Sequence, residues 1–226
     1  MFFGDTTMVL IIPVLILAFY AQSKVKGNFK KYSGVQNSSG LSGAEIARMI
    51  LDRRGLFEVT VNPVAGVLTD HYDPRKRQVN LSEAVYYGKT VSSASVAAHE
   101  VGHAIQHATK YFPLAFRTGI LPLAQLGSQA AFPLFLLGLI FSSPMLMDIG
   151  IIFFIAALLF HVITLPVEYN ASRRAKAELN NGIVVSQHEN VGVAEVLNAA
   201  AMTYVASTLM ALVQLIRLLL IRGSRK

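Results

Sequence analysis

Four long stretches without a charged side chain constrain the fold of this chain more than any other feature. They cover residues 6–23, 119–141, 149–167 and 196–216, the last being milder in hydrophobicity and rich in Ala and Thr. About 20 apolar helical residues cross the hydrocarbon core of a bilayer, so each stretch is long enough to span it. The composition agrees, because 53% of the residues are hydrophobic and the mean hydropathy is +0.48. The sequence therefore predicts a mainly α fold, an integral membrane helical bundle.

Basic residues beside these stretches predict an orientation. Lysines follow the first stretch, and Arg173, Arg174 and Lys176 follow the third, whereas residues 142–148 carry no Lys or Arg. Such basic flanks are typical of the cytoplasmic side of a membrane. We therefore expect the N-terminus outside, residues 24–117 in the cytoplasm, and the second and third stretches as a hairpin whose tip is outside. Because the positive charges cluster beside apolar runs, the net charge of +7 indicates a membrane surface rather than nucleic acid.

The first and the fourth stretches each leave an alternative open. A signal peptide is the rival for the first, but no basic residue precedes this stretch and no convincing cleavage site follows it. A spanning fourth stretch would place Arg222 outside, against the charge rule, and Arg217 interrupts its end. This stretch can therefore span, lie in the interface, re-enter, or pack on the other helices.

The segment between the first two stretches predicts a small α+β unit. Ser42 and Glu45 match a capping box that opens a helix, and Gly55 is placed to end it. Residues 57–61, 68–72 and 77–81 are typical of short strands. This segment also lacks Cys, as does the whole chain, which excludes a disulfide scaffold and a thiolate zinc site.

A His-Glu-Val-Gly-His run at residues 99–103 indicates the chemistry. Residues four apart share a helix face, so His99 and His103 can direct their imidazoles at one ion, while Glu100 can reach a water on that ion. Two histidines with an adjacent carboxylate base are the arrangement of a metal hydrolase. A buried helix with two hydrogen-bonded histidines is the alternative. The helix has three candidate N-cap hydroxyls, on Ser92, Ser93 and Ser95.

Sequence spacing excludes one class of zinc site. A hydrolytic zinc needs a third protein ligand and an open position for water. Gln106 and Thr109 stand where a metzincin-type site would have its Gly and third His. His107 lies about 12 Å of helix rise beyond His99, too far for both to bind one ion.

Glu168 is the expected third ligand. It directly follows the uncharged third stretch, and the predicted topology returns it to the side that holds His99. Glu178 and Glu195 are possible substitutes without this placement. His161, inside the third stretch, is a functional suspect or a partner in a hydrogen bond between helices.

Two segments together identify a family resemblance. The residues His-Glu-Val-Gly-His-Ala-Ile-Gln (99–106) and Leu-Pro-Val-Glu-Tyr-Asn-Ala-Ser-Arg-Arg-Ala (165–175) resemble those of the bacterial YugP-like zinc-dependent membrane metallopeptidases, over nearly the whole chain. More distantly, the chain resembles the gluzincin-like HtpX and CaaX prenyl protease group. The resemblance implies zinc bound by His99, His103 and Glu168, with Glu100 as the catalytic residue.

One position departs from the HtpX-like pattern. In that pattern an Asp stands four residues after the ligand Glu and supports a metal-binding His. Here the position is Ser172, whose hydroxyl can accept a hydrogen bond but cannot stabilise a positively charged ring as a carboxylate does. Asn170 can assist it.

The expected reaction is peptide hydrolysis by a zinc-activated water, with Glu100 as the general base. The oxyanion of that reaction needs a further donor. The sequence leaves four unranked candidates, His71, Tyr72, Asn170 and Arg173. Residues 79–81 can bind an extended peptide by β-addition or form a plain edge strand.

Three other functions compete with this interpretation. An intramembrane site-2-type protease also carries His-Glu-x-x-His, but within a long apolar span. A membrane di-iron oxidase would need a second Glu-x-x-His element, which the chain lacks. A catalytically inactive membrane scaffold would have no need for the base Glu100.

These inferences divide the chain into four predicted parts. They are an N-terminal transmembrane helix (1–23), a cytoplasmic zincin-like α+β segment with the motif helix (24–112), a transmembrane hairpin (113–167), and a third-ligand helix followed by a C-terminal apolar helix (168–226). The expected partners are the lipid bilayer and a polypeptide substrate, such as a misfolded or membrane-associated protein, without nucleic acid. We expect a multi-pass plasma membrane protein with a cytoplasmic active site, and its oligomeric state stays open.

Overall fold

The computed structural model describes residues 6–180, 186 and 189–224. A 3₁₀ turn at Thr6–Leu10 precedes a chain of helices and short strands. In order, these are α1 (Ile11–Ser33), α2 (Gly43–Arg53), β1 (Thr60–Val64), β2 (His71–Asp73), β3 (Gln78–Ser82), α3 (Glu83–Tyr86), α4 (Val91–Ala108), α5 (Phe112–Ile140), α6 (Pro144–Asn180) and α7 (Glu189–Gly223). The predicted mainly α fold with a small α+β part is confirmed.

Within the described residues, four helices are long and apolar enough to cross a membrane, namely α1 with its preceding turn, α5, α6 and α7. Each extends beyond the predicted apolar stretch at one end at least. The helix α6 has 37 residues and continues past Val167 to Asn180. The helix α7 has 35 residues, so the milder fourth stretch lies within a helix long enough to span.

The chain forms two compact units. One consists of the described parts of Met1–Ala21, Ala115–Pro166 and Thr203–Lys226. In it, α5 and α6 approach closely at glycines, since a Cβ on Gly127 would lie 2.5 Å from the carbonyl oxygen of Phe153. Such small residues let membrane helices pack backbone against backbone. The predicted four-part division follows consecutive segments and stays a prediction.

The second unit comprises the described parts of Gln22–Leu114 and Val167–Met202, and it contains the sheet. The strand order is β1-β3-β2, with β1 parallel and β2 antiparallel to β3. The expectation that residues 79–81 form an edge strand is therefore wrong, because β3 pairs on both sides. The first predicted strand is also displaced, since β1 begins at Thr60 and includes Pro63, which an edge strand tolerates.

The core of this unit packs α2, β3 and α4 together through fully buried aliphatic side chains, including Ile46, Ile50, Val79, Leu81 and Val101. The predicted capping box at Ser42 and Glu45 is confirmed. The predicted N-caps of α4 are wrong, because α4 begins earlier and Thr90 is the cap, its hydroxyl accepting the Ser93 N–H at 3.2 Å.

Candidate metal centre

The helix α4 brings its two motif histidines onto one face. His99 and His103 are one helical turn apart, and their ring centroids lie 4.8 Å apart at nearly a right angle. An apolar helix, with Ala97, Ala98, Val101 and Ala104 in the core, fixes this face toward the interior of the unit. Both imidazoles are thus held in a largely dry environment.

Glu168 on α6 lies against both imidazoles. Its Oε2 atom is 3.2 Å from His99 Nε2 and 3.6 Å from His103 Nε2. The carboxylate is buried, with 2% of the residue exposed. One ligand atom from each of the three residues lies within 4.8 Å of the others, so the geometry suits a single shared ion.

Two polar side chains hold the other nitrogens of these imidazoles. Ser172 Oγ lies 3.2 Å from His99 Nδ1, and Gln106 Oε1 lies 3.0 Å from His103 Nδ1. The Gln106 amide orientation is fixed because its Nε2 donates to the Val167 carbonyl at 2.8 Å and to Asn170 Oδ1 at 3.0 Å. His103 Nδ1–H must then be the donor to Gln106, which leaves Nε2, the nitrogen beside Glu168, as the atom that can bind a metal ion.

Gly102 explains how α4 and α6 come close enough for these contacts. A Cβ atom there would lie 2.7 Å from the Ala171 carbonyl oxygen. Ala171 stands between Glu168 and Ser172 on α6, so the glycine allows the closest backbone approach at the level of the cluster. Neither Gly102 nor Gln106 was assigned a role from the sequence, although Gln106 stands at the i+3 position from His103, on the same helix face.

Burial raises the pKa of the Glu100 carboxyl, while the nearby imidazoles of His99 and His103 oppose that rise. The negative charges of Glu168 and Asp70 add to it. For His103, burial lowers the pKa, but the hydrogen bond to Glu168 and its charge outweigh burial and leave the pKa raised. A buried carboxyl beside two imidazoles and an acid is the setting in which a general base acquires a raised pKa.

The alternative acidic residues have partners elsewhere. Glu178 forms an ion pair with Arg54, and Glu195 pairs with Lys31 Nζ at 2.9 Å. His107, which its spacing from His99 excludes as a ligand of the same ion, is exposed, and its Nδ1 bonds the Tyr72 hydroxyl at 2.9 Å.

Two of the four candidate oxyanion donors are already engaged. The Tyr72 hydroxyl bonds His107, and both ring nitrogens of His71 lie within bonding distance of polar atoms. Asn170 accepts hydrogen bonds from Gln106 and from Arg174 through Oδ1, and these bonds do not use its donor atom Nδ2. Arg173 is exposed on α6, so Asn170 and Arg173 stay as the candidates.

The donor set fits a catalytic zinc site. Two imidazole nitrogens and one carboxylate oxygen are a typical three-ligand set for hydrolytic zinc. The fit rests on the shared direction of the two Nε2 atoms and on the outer hydrogen bonds that fix them. Outer partners of this kind orient metal-binding histidines and are part of such sites.

Comparison with known proteins agrees with this chemistry. A family model described as "Putative neutral zinc metallopeptidase" matches residues 7–223. The chain belongs to this family. The protein called "Putative membrane protease YugP" of Bacillus subtilis (strain 168) is 52% identical over 212 residues, which cover 94% of each chain. The YugP-like resemblance read from the two motifs is therefore confirmed. No solved structure matches the chain.

Proposed function

We propose that this protein is a membrane-bound zinc endopeptidase that hydrolyses peptide bonds at the cytoplasmic face of the membrane. In this proposal His99, His103 and Glu168 bind the zinc, and Glu100 is the general base. One observation carries it: a single carboxylate oxygen of Glu168 lies 3.2 and 3.6 Å from the Nε2 atoms of the two motif histidines. His99 and Glu168 are 69 positions apart along the chain, and together with His103 they present three ligand atoms to one point.

Zinc in such a donor set acidifies a water and polarises a carbonyl group. The residues of the chain would carry out the proton transfers of the reaction. Glu100 accepts a proton from the attacking water and returns it to the nitrogen that leaves. The pKa of Glu100, raised by burial, favours the uptake of this proton, because a carboxylate of higher pKa is a stronger base.

The substrate would bind along β2 rather than along β3. Among the described strands, β2 pairs only with β3, so its other edge is available for an added strand. Tyr72 on β2 also contacts His107 on the motif helix. An extended peptide on this edge would run beside α4, which carries His99 and Glu100.

Polar contacts in the membrane unit support an orientation in which the N-terminal turn and the end of α7 both lie on the outer side. Arg222 near the end of α7 pairs with Asp148 near the start of α6, at 2.8 and 3.1 Å. Arg217 Nε donates to Thr7 Oγ1 at 3.2 Å. These contacts put the end of α7, the α5–α6 link and the N-terminal turn at one end of the unit. A spanning α7 then accounts for Arg222 on the outer side, because that residue has a carboxylate partner there.

An intramembrane site-2-type protease is less well supported. The helix α4, which carries the motif, is not among the apolar spans found in the described residues. The presence of Glu100 also argues against a catalytically inactive scaffold, since a structural zinc site has no need for a base.

Zinc content and peptidase activity, measured together, test the proposal. The purified chain in nanodiscs is expected to hold one zinc and to cleave an unfolded protein in a chelator-sensitive way. Glu100→Gln should keep the zinc and lose cleavage, whereas Glu168→Ala should lose both. Glu83→Gln, an exposed glutamate at the start of α3, is the matched control and should change neither. Retained cleavage by Glu100→Gln would contradict the proposed mechanism.

A further inference from the structure

The turn between β2 and β3 presents three exposed cations in a row, Arg75, Lys76 and Arg77. Asp73 holds the turn, because its Oδ1 accepts the backbone N–H groups of Arg75 at 2.8 Å and of Lys76 at 3.2 Å. Arg77 has a positive φ of 53°, which turns the chain back into β3. The catalytic proposal gives this basic turn no role.

Contacts between the sheet and α4 show at which end of the unit this turn lies. Tyr72 bonds His107, in the last turn of α4. At the opposite end, Ser93 in the first turn of α4 donates to the carbonyl of Ala84 in α3, directly after β3 ends. The strand β3 therefore runs from the end of α4 toward its start, and the turn that precedes β3 lies where α4 ends.

That end is also where an apolar span begins. The helix α4 ends at Ala108, and Phe112 opens α5 four residues later. The basic turn therefore lies at the end of α4 from which the chain continues into its second span.

An exposed aromatic residue accompanies the cations. Glu58 Oε1 lies 3.5 Å from Arg77 Nη1, and its neighbour Phe57 is 72% exposed. Lysine and arginine beside an exposed aromatic ring are typical of segments that lie in the interface of an anionic membrane.

We propose that the turn surface, formed by Phe57, Arg75, Lys76 and Arg77, rests on the anionic lipid headgroups of the bilayer that the chain itself spans. The cations bind lipid phosphates and Phe57 enters the headgroup region. This contact holds the sheet, and with it the free edge of β2, at a fixed height above the lipid. The inference rests on the proposed membrane orientation and not on the proposed zinc chemistry.

The opposite end of the sheet supplies a control without cations. The loop between β1 and β2 exposes Val67 to 73%, which matches the exposure of Phe57. Residues 65–69 of this loop carry no charge. If exposure alone drew side chains into lipid, Val67 would enter as readily as Phe57.

A single-tryptophan experiment tests the contact, because the chain contains no Trp. Phe57→Trp and Val67→Trp are each placed in nanodiscs of brominated phosphatidylcholine with brominated phosphatidylglycerol. Emission from Phe57→Trp should be quenched and shifted to the blue, while emission from Val67→Trp should change little. Equal quenching of the two, or none at Phe57→Trp, would overturn the proposal.

Charge reversal tests the lipid specificity of the turn surface. Each basic residue near an anionic surface favours contact by about fivefold. Arg75→Glu with Lys76→Glu, in the Phe57→Trp background, should therefore lose most of the quenching, as should nanodiscs of phosphatidylcholine alone. Lys89→Glu, an exposed lysine just before α4, should leave it unchanged.

If Phe57→Trp does not fold, a measurement on a cysteine variant tests the same contact. The chain has no Cys, so a nitroxide on Glu58→Cys reports lipid proximity by its exposure to oxygen dissolved in the bilayer. The proposal is wrong if quenching and oxygen exposure are the same in neutral and anionic lipid, while charge reversal changes only the cleavage of acidic polypeptides. That result would mean that the turn binds substrate.

Discussion

A Cβ atom on Gly102 would lie 2.7 Å from the carbonyl oxygen of Ala171, so the motif helix and the Glu168 helix touch through their backbones. A carbonyl cannot rotate away as a flexible side chain can, and the helices must separate to admit even one methyl group. This contact sets the distance between the carboxylate and the two imidazoles.

Gly102→Ala is expected to lower both stability and zinc affinity. Overpacking of this kind costs about 1–3 kcal/mol of unfolding free energy, and the separation moves Glu168 away from the histidines. Thermal unfolding and zinc content in detergent measure the two effects. Gly27→Ala, on α1 with open space around its Cβ, is the control and should be neutral or slightly stabilising. Full zinc occupancy in Gly102→Ala would show that the contact does not set the geometry.

Much of the candidate site could be predicted because it depends on local spacing. The i, i+4 relation of His99 and His103 follows from helix geometry, and Glu168 stands just after an apolar run. The role of Gln106 depends on where α6 crosses α4, which no local pattern fixes. In the sequence, Gln106 served only as evidence against a metzincin-type zinc site.

The same limit applies to the sheet. Alternating residues predicted a strand near residues 77–81, because side-chain period is local. Whether that strand lies at the centre or at an edge depends on pairing between distant segments. The structure makes β3 central and leaves β1 and β2 as the edge strands, and the three residues of β2 gave a weaker signal in the sequence.

Substitution of Gln106 should separate its two roles. Gln106→Leu removes the acceptor for His103 Nδ1–H and leaves the Val167 carbonyl without its donor. Loss of such an outer partner typically costs about 10–100-fold in metal affinity. Gln106→Glu keeps an acceptor for His103, so it should bind zinc more tightly than Gln106→Leu in a chelator competition assay. Equal affinities would mean that the bond to His103 is immaterial.

Ser172 offers the corresponding test at His99. Ser172→Ala should weaken zinc binding by about tenfold or more, because His99 Nδ1 loses its partner. Ser172→Asp should strengthen it relative to the native chain, since a carboxylate stabilises the ring better than a hydroxyl does. Ser207→Ala, on α7, removes only a bond to a helix carbonyl and serves as the control. Zinc affinity is measured by competition at neutral pH. An unchanged affinity in Ser172→Ala would contradict this role.

The stability of the metal-free protein should depend on pH through His103. Burial lowers the pKa of His103, but Glu168 outweighs it, so the folded pKa lies above the ordinary 6.5. The stability from this pair is therefore complete below the ordinary pKa and is lost as the pH rises through the folded pKa. Thermal unfolding with excess chelator should show the melting temperature falling over that window. Glu168→Gln should flatten the profile, and Glu83→Gln should not. An equally steep profile in Glu168→Gln would assign the effect elsewhere.

Cysteine labelling can decide the membrane orientation, because the chain has no Cys of its own. The Arg222–Asp148 ion pair and the Arg217–Thr7 hydrogen bond predict that the end of α7 and the α5–α6 link share one side. In intact cells, Ser143→Cys and Ser224→Cys should both react with a membrane-impermeant maleimide. Ser39→Cys, in the loop before α2, should react only after the cells are permeabilised, since that loop belongs to the unit with the candidate metal centre. Labelling of Ser143→Cys without Ser224→Cys would mean that α7 does not cross the membrane. Labelling of Ser39→Cys in intact cells would place the candidate metal centre outside.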